Sequence, residues 1–457
     1  MVVSCSNDDP SVPPTNPPVE NPDTPDKPDE PENPENPWLD AIPEEDLNSA
    51  WWNPSAPESP SDNDKFVGIA MTRDQLFINE KAMNYSLDLF RRLVAENPNE
   101  NVAVSPVGIT QYLGMLANAT SGDSQKEVLA AWGANDYSIA ALNDYFRAIN
   151  SYLKADYTNI SKSWGNAVWV DPSLSVLPSF SASMKDIFGA DTKSASLSAD
   201  QGKNTINEWA SSTTHSSVQN LLAQAPGGSV CFSNALTADV PLVFSTYGQN
   251  PKQSISKDKF TNSDGSVNDN VNYVHWTNCN YYYIETLNAM YASIYLPGSL
   301  RMILIAPVAN GDYATVEEGF TFRQFCYIFN NHKGQVANSN LAYPQFTLNK
   351  SIVLNSLLSE KGLGNILNGK GTFANLFDAG TFSGNFKIGT LSQAVNLNFG
   401  KDSNGSLGTA TAGRPANGDT KALNPHPENV NANQPFYMVI LDGRSGTIFT
   451  IAKICKM

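Results

Sequence analysis

The chain has 457 residues, a formal net charge of −16 at pH 7 and 41% apolar residues. The acidity is confined to one end: residues 1–60 hold fourteen Asp or Glu against a single Lys, so the rest is nearly neutral and charge says little about its partners. No basic patch and no interleaving of basic and aromatic residues occurs, which excludes a nucleic-acid binder. No stretch approaches the ~20 apolar residues of a membrane-spanning helix.

The first 60 residues also hold 15 of the 29 prolines. From Pro22 to Pro31 a proline recurs every third residue, and such a segment buries too little apolar surface to fold. Residues 1–60 therefore read as an N-terminal tail whose part from residue 6 is a semi-rigid, self-repelling stalk. Trp38, Trp51 and Trp52 near its end either dock on the body, residues 61–457, or stay exposed. Val2-Val3-Ser4-Cys5 resembles the end of a bacterial lipoprotein signal, although no charged or apolar stretch precedes it. That resemblance implies a lipid on Cys5, membrane attachment through it, and a place on the outer membrane at the cell surface. Secretion or a periplasmic location is the alternative. Cys231, Cys279, Cys326 and Cys455 are widely spaced without a CxxC, so zinc and redox motifs are absent. Cys231 and Cys455 sit in apolar runs and read as buried small hydrophobes, with disulfide pairing left open.

The body opens with an amphipathic helix from Asn79 to Leu93, with Arg91 and Arg92 near its C-terminal end and Asn97-Pro98-Asn99 as its break. Val102–Val104 is a short strand, and Ser105-Pro106 starts a buried helix that Ser121-Gly122-Asp123 ends. Ser124 and Glu127 then stand at capping-box spacing. Ala167–Val170 reads as a strand, Pro178–Phe188 as a helix, and Asn204–Leu222 as another. Val230-Cys231-Phe232 is continuously apolar, which predicts a central strand covered on both faces. Ala292–Pro297 and Met302–Pro307 are strands, and Val353–Leu363 is helical. Between Gly405 and Pro415, every second residue from Ser406 is small: Ser406, Gly408, Ala410, Ala412. A strand alternates faces with period two, so this stretch is either a loop able to become a strand or a flexible linker. The chain ends in a hairpin of Pro435–Asp442 and Thr447–Cys455, with Asp442 read, like Asp123, as a solvated turn residue. Helices come first and strands dominate later, an α+β layout. His215, His275, His332 and His426 show no metal spacing, and no GxSxG or P-loop occurs, so neither enzyme chemistry nor a cofactor or metal is implied.

Six segments, in order, resemble the serpin family of serine protease inhibitors. They are Asn101–Pro106, Gly165–Val170, Ile206–Trp209 with Thr214 and Val218–Leu222, Ser233–Leu236, Tyr343–Phe346, and Gln434–Ile448. The resemblance covers residues 75–457. It implies a serpin fold, with helices around a large mixed main sheet, smaller sheets, and an exposed reactive-centre loop at about 403–432. It also implies a monomeric inhibitor that acts as a suicide substrate: the attacking protease becomes an acyl-enzyme while the cleaved loop inserts into the main sheet. The expected partners are trypsin-like or elastase/chymotrypsin-like serine proteases, with cysteine proteases as a second class.

On this resemblance Gly405, Ser406, Gly408, Ala410 and Ala412 form the loop hinge, with Ser406 facing inward; a register beginning at Ser403 is the alternative. Counting from the hinge places the scissile residue at Asp419, and counting back from Pro435-Phe436 places it near Asn424. The bracket contains Asp419, Thr420, Lys421, Leu423 and Asn424. Lys421 suits a trypsin-like protease and Leu423 an elastase- or chymotrypsin-like one. Three family features are missing: the histidine of the strand before the loop falls at Ser392, the tryptophan after the Asn234-Ala235 motif is replaced by Thr237-Ala238-Asp239-Val240-Pro241, and the acidic residue before the hinge is replaced around Gly400-Lys401-Asp402. A non-inhibitory serpin-fold protein, cleaved as a substrate or binding a ligand, is the alternative function.

Overall fold

The computed structural model describes residues 71–154, 161–239, 253–284, 289–295, 300–307, 313–325, 335–378, 380, 386–399, 429–442 and 445–457. All belong to the unit Trp38–Met457. The stalk, its tryptophans and Cys5 lie outside the described residues.

Helix α1 spans Arg73–Glu96. It begins before Asn79 because Thr72 and Gln75 cap each other reciprocally. Arg91 and Arg92 stop short of its last turn and pair with Asp88 instead. Strand β1 (Val102–Val104) leads into α2 (Pro106–Ala119), where the Ser105 hydroxyl accepts from the Gly108 amide and Pro106 occupies the first turn. Almost every residue of α2 is buried. Helix α3 (Gly122–Ala131) starts after Ser121, so the expected Ser124–Glu127 cap is not made; the Ser124 hydroxyl accepts from the Thr372 amide at 2.8 Å. Helix α4 (Ile139–Lys154), β2 (Ser161–Val170), α5 (Pro178–Phe188) and β3 (Asp191–Ser194) follow.

Helix α6 (Asp200–Thr213) is shorter than the sequence predicts. The Thr214 hydroxyl donates to the Ala210 carbonyl and accepts from the Val218 amide, while His215 and Ser216 take positive φ of 48° and 66°. Two left-handed residues cannot continue a helix. Residues 214–228 therefore run as an irregular strap of turns and bends.

The later strands are β4 (Val230–Asp239), β5 (Gln253–Thr261), β6 (Val267–Ile284), β7 (Ala289–Tyr295), β8 (Leu300–Pro307), β9 (Gln335–Pro344) and β10 (Phe346–Val353). A six-residue helix, α7 (Tyr313–Glu318), lies between β8 and β9. The helix expected from Val353 begins at Asn355 as α8 (Asn355–Leu358) and widens into π turns, where Gly362 (φ 101°) breaks the helical path. Val353 closes β10 and is 56% exposed. Strands β11 (Ser392–Phe399), β12 (Asn429–Asn431), β13 (Phe436–Asp442) and β14 (Ile448–Ile454) complete the order.

The largest sheet runs β1-β14-β13-β8-β7-β6-β9-β12, with β5 paired to β6. Next to β1, near one end of it, lies the C-terminal hairpin, whose strands are buried throughout. Asp442 is not the solvated turn residue expected: it is fully buried and accepts from the Ser445 amide (2.7 Å) and hydroxyl (2.5 Å). Two further ladders are β3-β2-β4 and β10-β11. Helices α1 and α2 pack with the hairpin and β4 in the main core, and a second apolar cluster lies between β2, β4, α6 and the strap. The mixed α+β class read from the sequence is the observed one.

Candidate functional site, a seam between two half-sheets

Strand β4 is buried on both faces, as its apolar run predicts, yet its outer edge is unpaired over most of its length. Beside it lies β11. Among the described residues one isolated parallel bridge, Val230↔Ile388, joins the two sides. Backbone bonds from the Ser229 amide to the Lys387 carbonyl (2.6 Å) and from the Gly389 amide to the Val230 carbonyl (2.7 Å) close that end. Beyond it the two strands run side by side in the same direction without a ladder. The seam thus divides β3-β2-β4 from β11-β10.

Behind the seam sits the N-terminus of α2. The Ser105 amide donates to Gln393 Oε1 at 2.7 Å, and Gln393 Nε2 donates back to the Ser105 carbonyl at 2.9 Å. Asn234 of β4 donates to Asn166 Oδ1 at 2.7 Å, and Asn166 donates to Gln111 Oε1 at 3.2 Å. All these side chains are buried. Gly108 makes the approach possible: a Cβ there would lie 2.6 Å from Gln393 Nε2 and 2.7 Å from Asn234 Oδ1. Next to them is a small enclosed cavity of about 20 Å³, lined by Ser105, Asn234, Gln393, Val395, Ile440 and Phe449 among others, room for roughly one water.

The sequence reading sets the missing histidine's place at Ser392. The structure moves the polar contact one residue on. Ser392 presents its carbonyl to the Tyr112 hydroxyl at 2.5 Å, and Gln393 reaches Ser105. The signal was the alternation: Gln393, Val395 and Leu397 share the buried face of β11, while Ala394 and Asn396 face the other way.

In front of the seam runs the strap. Val218, Leu221 and Leu222 pack on the cluster that contains Trp169, Ile206 and Cys231, on the β4 side. Asn207 of α6 holds Leu222 twice: its Oδ1 accepts from the Leu222 amide at 2.8 Å and its Nδ2 donates to the carbonyl at 2.9 Å. On the other side, Asn396 of β11 donates to the Ser217 carbonyl at 2.9 Å and Ser351 of β10 donates to the Leu221 carbonyl at 3.1 Å.

The seam offers no reactive group. Burial pushes the Cys231 thiol up to about 12, and the Tyr112 hydroxyl is likewise raised by burial. Cys231 and Cys455 are buried, as expected, and both are free thiols, which the sequence leaves open. Among the described residues no group of three or more His, Cys, Asp or Glu stands together as a metal site.

A family model described as Serpin (serine protease inhibitor) matches residues 80–457. The chain belongs to the serpin family. Human leukocyte elastase inhibitor is 24% identical over 381 residues, 81% of this chain and 96% of that protein. Corticosteroid-binding globulin of Ovis aries is 28% identical over 146 residues, 31% of this chain and only 34% of that protein. The solved thyroxine-binding globulin complex with thyroxine shares the fold, with a TM-score of 0.70 at 18% identity over 83% of this chain and 99% of that one. The serpin fold expected from the motifs is therefore the fold observed, and protease inhibition is the activity that the family model's description names. The hinge residues Gly405, Ser406, Gly408, Ala410 and Ala412 lie outside the described residues. So do Asp419, Thr420, Lys421, Leu423 and Asn424.

Proposed function

We propose that this serpin inhibits serine proteases as a suicide substrate and traps them by strand insertion. The observation that carries the reading is the seam. Strands β4 and β11 run parallel, and among the described residues one isolated bridge, Val230↔Ile388 just before β11, joins the two sides. A segment that leaves the Phe399 end of β11 and folds back runs antiparallel to both neighbours at once, the more stable pairing. The next residues in sequence, from Gly400, are the ones to do so.

The chemistry begins in the protease. Its nucleophile attacks the carbonyl carbon of the scissile residue, the peptide bond breaks, the amine side leaves with a proton, and an acyl-enzyme remains. Cleavage frees the hinge to enter the seam. An inserted strand of about ten residues makes bonds on both edges, on the order of 10 kcal/mol at ~1 kcal/mol each. About fourteen residues at ~3.4 Å carry the attached protease roughly 48 Å before water releases it. Entry must outrun deacylation, so inward side chains must be small. A bulky one forced into a packed sheet costs about 1–3 kcal/mol. Ser406, Gly408, Ala410 and Ala412 meet that demand.

Within the bracket Asp419–Asn424, Lys421 is the leading scissile residue and points to a trypsin-like target; Leu423 would point to an elastase- or chymotrypsin-like one. Cysteine proteases are the second partner class. A lipid on Cys5 and the proline-rich stalk would hold the monomeric inhibitor at an outer-membrane surface. Fatty acid on Cys5 in the native host tests that anchor.

The test of inhibition is incubation with trypsin-, elastase- and chymotrypsin-like proteases, followed by denaturing gels. A covalent complex is expected, and mass spectrometry of the released peptide gives the scissile bond. Cleavage without a complex for every protease would overturn the reading and favour a carrier or substrate role. Thyroxine-binding globulin, solved in complex with thyroxine, gives that second reading its support.

A further inference from the structure

Helix α2 turns one stripe toward the seam: Ser105, Gly108 and Tyr112 follow each other at helical spacing. Ser105 and Gly108 meet Gln393 and Asn234 behind the sheet. Tyr112, one turn further on, ends in the gap itself. Successive residues of a strand direct their backbone groups to alternate edges. The Val230 carbonyl accepts from the Gly389 amide across the seam, so Asn234, an even number of residues on, also turns its backbone groups to the seam. The Leu391 carbonyl accepts from the Leu354 amide on the β10 side, so Ser392 turns its own to the opposite edge, which is the seam. Asn234 and Ser392 each stand four residues beyond the Val230↔Ile388 bridge and so face each other across the gap. The Tyr112 hydroxyl lies between them. It donates to the Ser392 carbonyl at 2.5 Å, and its oxygen receives the backbone amide of Asn234. Tyr112 is 2% exposed, so water does not compete for either bond.

We propose that Tyr112 is the placeholder of the closed seam: a positioning residue whose hydroxyl bridges β4 and β11 in the plane of the sheet, where an incoming strand must put its backbone. The proposal rests on the insertion reading. One hydroxyl has one proton to give and lone pairs to receive, so a single oxygen accepts from one edge and donates to the other. A strand between the two edges would do the same with its own amides and carbonyls. Ser392 is small enough to leave the phenol this place. The bridge satisfies two buried backbone groups that a gap would otherwise leave unpaired, and an unpaired buried backbone group is costly. It also keeps the two strands one oxygen apart, too close for a ladder to be added. Entry of a strand displaces the phenol and supplies both backbone groups with new partners. The hydroxyl therefore stabilises the uncleaved chain and contributes nothing to the cleaved one.

Tyr112→Phe keeps the ring and removes the bridging oxygen alone. The test compares guanidinium unfolding of the full-length chain before and after loop cleavage. A second arm follows, by anisotropy, the uptake of a fluorescein-labelled, acetylated peptide of residues 404–415 by the uncleaved chain. In the uncleaved variant the unfolding midpoint is expected to fall by a few tenths of a molar, because the Ser392 carbonyl and the Asn234 amide lose their partner. Peptide uptake is expected to speed up roughly tenfold, as the loss of two ordinary hydrogen bonds would give. In the cleaved variant the midpoint is expected to match that of the cleaved parent. A side chain that only fills the core behaves otherwise: Leu113→Ala, at a position 1% exposed on the same helix, is expected to lower both midpoints. A loss confined to the uncleaved Tyr112→Phe chain, with faster uptake, supports the placeholder. Equal losses before and after cleavage, or no change in either, in a parent chain that does take up peptide, overturn the placeholder and leave the insertion reading standing. A parent chain that takes up no peptide and gains no resistance to unfolding on cleavage overturns both.

Discussion

Replacing Gln393 by Leu tests how the seam is closed from behind. Gln393 makes two bonds to one residue, accepting from the Ser105 amide and donating to the Ser105 carbonyl. Leu keeps much of the volume and loses both. The two losses are unequal. The Ser105 carbonyl still accepts from the Ile109 amide at 3.1 Å, whereas the Ser105 amide, at a helix N-cap, has no helical acceptor to fall back on. An orphaned buried donor costs ~1–3 kcal/mol, so the substitution is expected to destabilise the uncleaved protein by about 2–3 kcal/mol. In a body of this size that lowers Tm by roughly 2–5 °C. Scanning calorimetry and urea unfolding read it directly. Gln393→Glu sharpens the test. A protonated carboxyl has both an acceptor and a donor; a carboxylate has only acceptors and pays desolvation. Burial raises such a group's folded pKa above its unfolded value near 4.3. Its stabilising contribution is then complete below that unfolded value and lost as pH rises through the folded one. Stability of Gln393→Glu should approach that of the parent in acid and fall away toward neutrality. Unchanged Tm in Gln393→Leu, or a Glu variant with no such dependence, would refute the two-bond clamp.

Ala410→Arg is expected to turn the inhibitor into a substrate: cleavage persists while the covalent complex falls at least severalfold on denaturing gels, and an unchanged yield would refute the inward register. Asp88 is raised by burial but more strongly lowered by Lys361 and Arg91, and its pKa lies below the ordinary value. A depressed carboxyl stabilises above its unfolded pKa near 4 and loses that contribution as pH falls through the folded one. Lys361→Met should therefore flatten the loss of stability below about pH 4, and an identical acid profile would count against the assignment. Lys453 and Glu317 pair at 2.7 Å with side chains 8% and 14% exposed. Lys453→Met should cost about 3 kcal/mol in urea unfolding; because Glu317 also accepts from the buried Tyr437 hydroxyl, adding Glu317→Leu together with Tyr437→Phe should recover most of it, and no recovery would show that the pair is not acting as a buried ion pair.

Much of the scaffold is written locally. Ser105-Pro106 carries both a cap and a first-turn proline, and the observed helix begins there. Pro178–Phe188 was bounded by its own proline and the following glycine, which takes the left-handed cap. The errors fall where distant residues decide. Thr214 to Leu222 has helical apolar spacing, but Asn396, Ser351 and Asn207 draw its backbone groups away from a helix. Ser124 has cap spacing but meets Thr372. Asp442 looks like a turn residue, yet Ser445 folds back on it. The seam was hidden for a different reason. A run such as Val230-Cys231-Phe232 reports that both faces are covered; it carries no information about which edge is bonded, because backbone edges have no side-chain signature.

That distinction bears on how the seam works. Its rear closure is built from Gln393, Asn234, Asn166 and Gln111, amides that do not titrate. The adjoining Cys231 thiol is pushed up to about 12 and stays protonated. Its front closure is the neutral pair of bonds from Asn396 and Ser351. A histidine in place of Gln393 would tie opening to pH near 6.5, through its own charge. With an amide there, the energy that keeps β4 and β11 apart from an incoming strand contains no such contribution. Peptide uptake by an uncleaved His215→Gln chain, which lacks the strap's own histidine, should therefore be flat from pH 5 to 8, and adding Gln393→His should make it vary within that window. A His215→Gln chain whose uptake still changes severalfold across the window would place the controlling group outside these two closures.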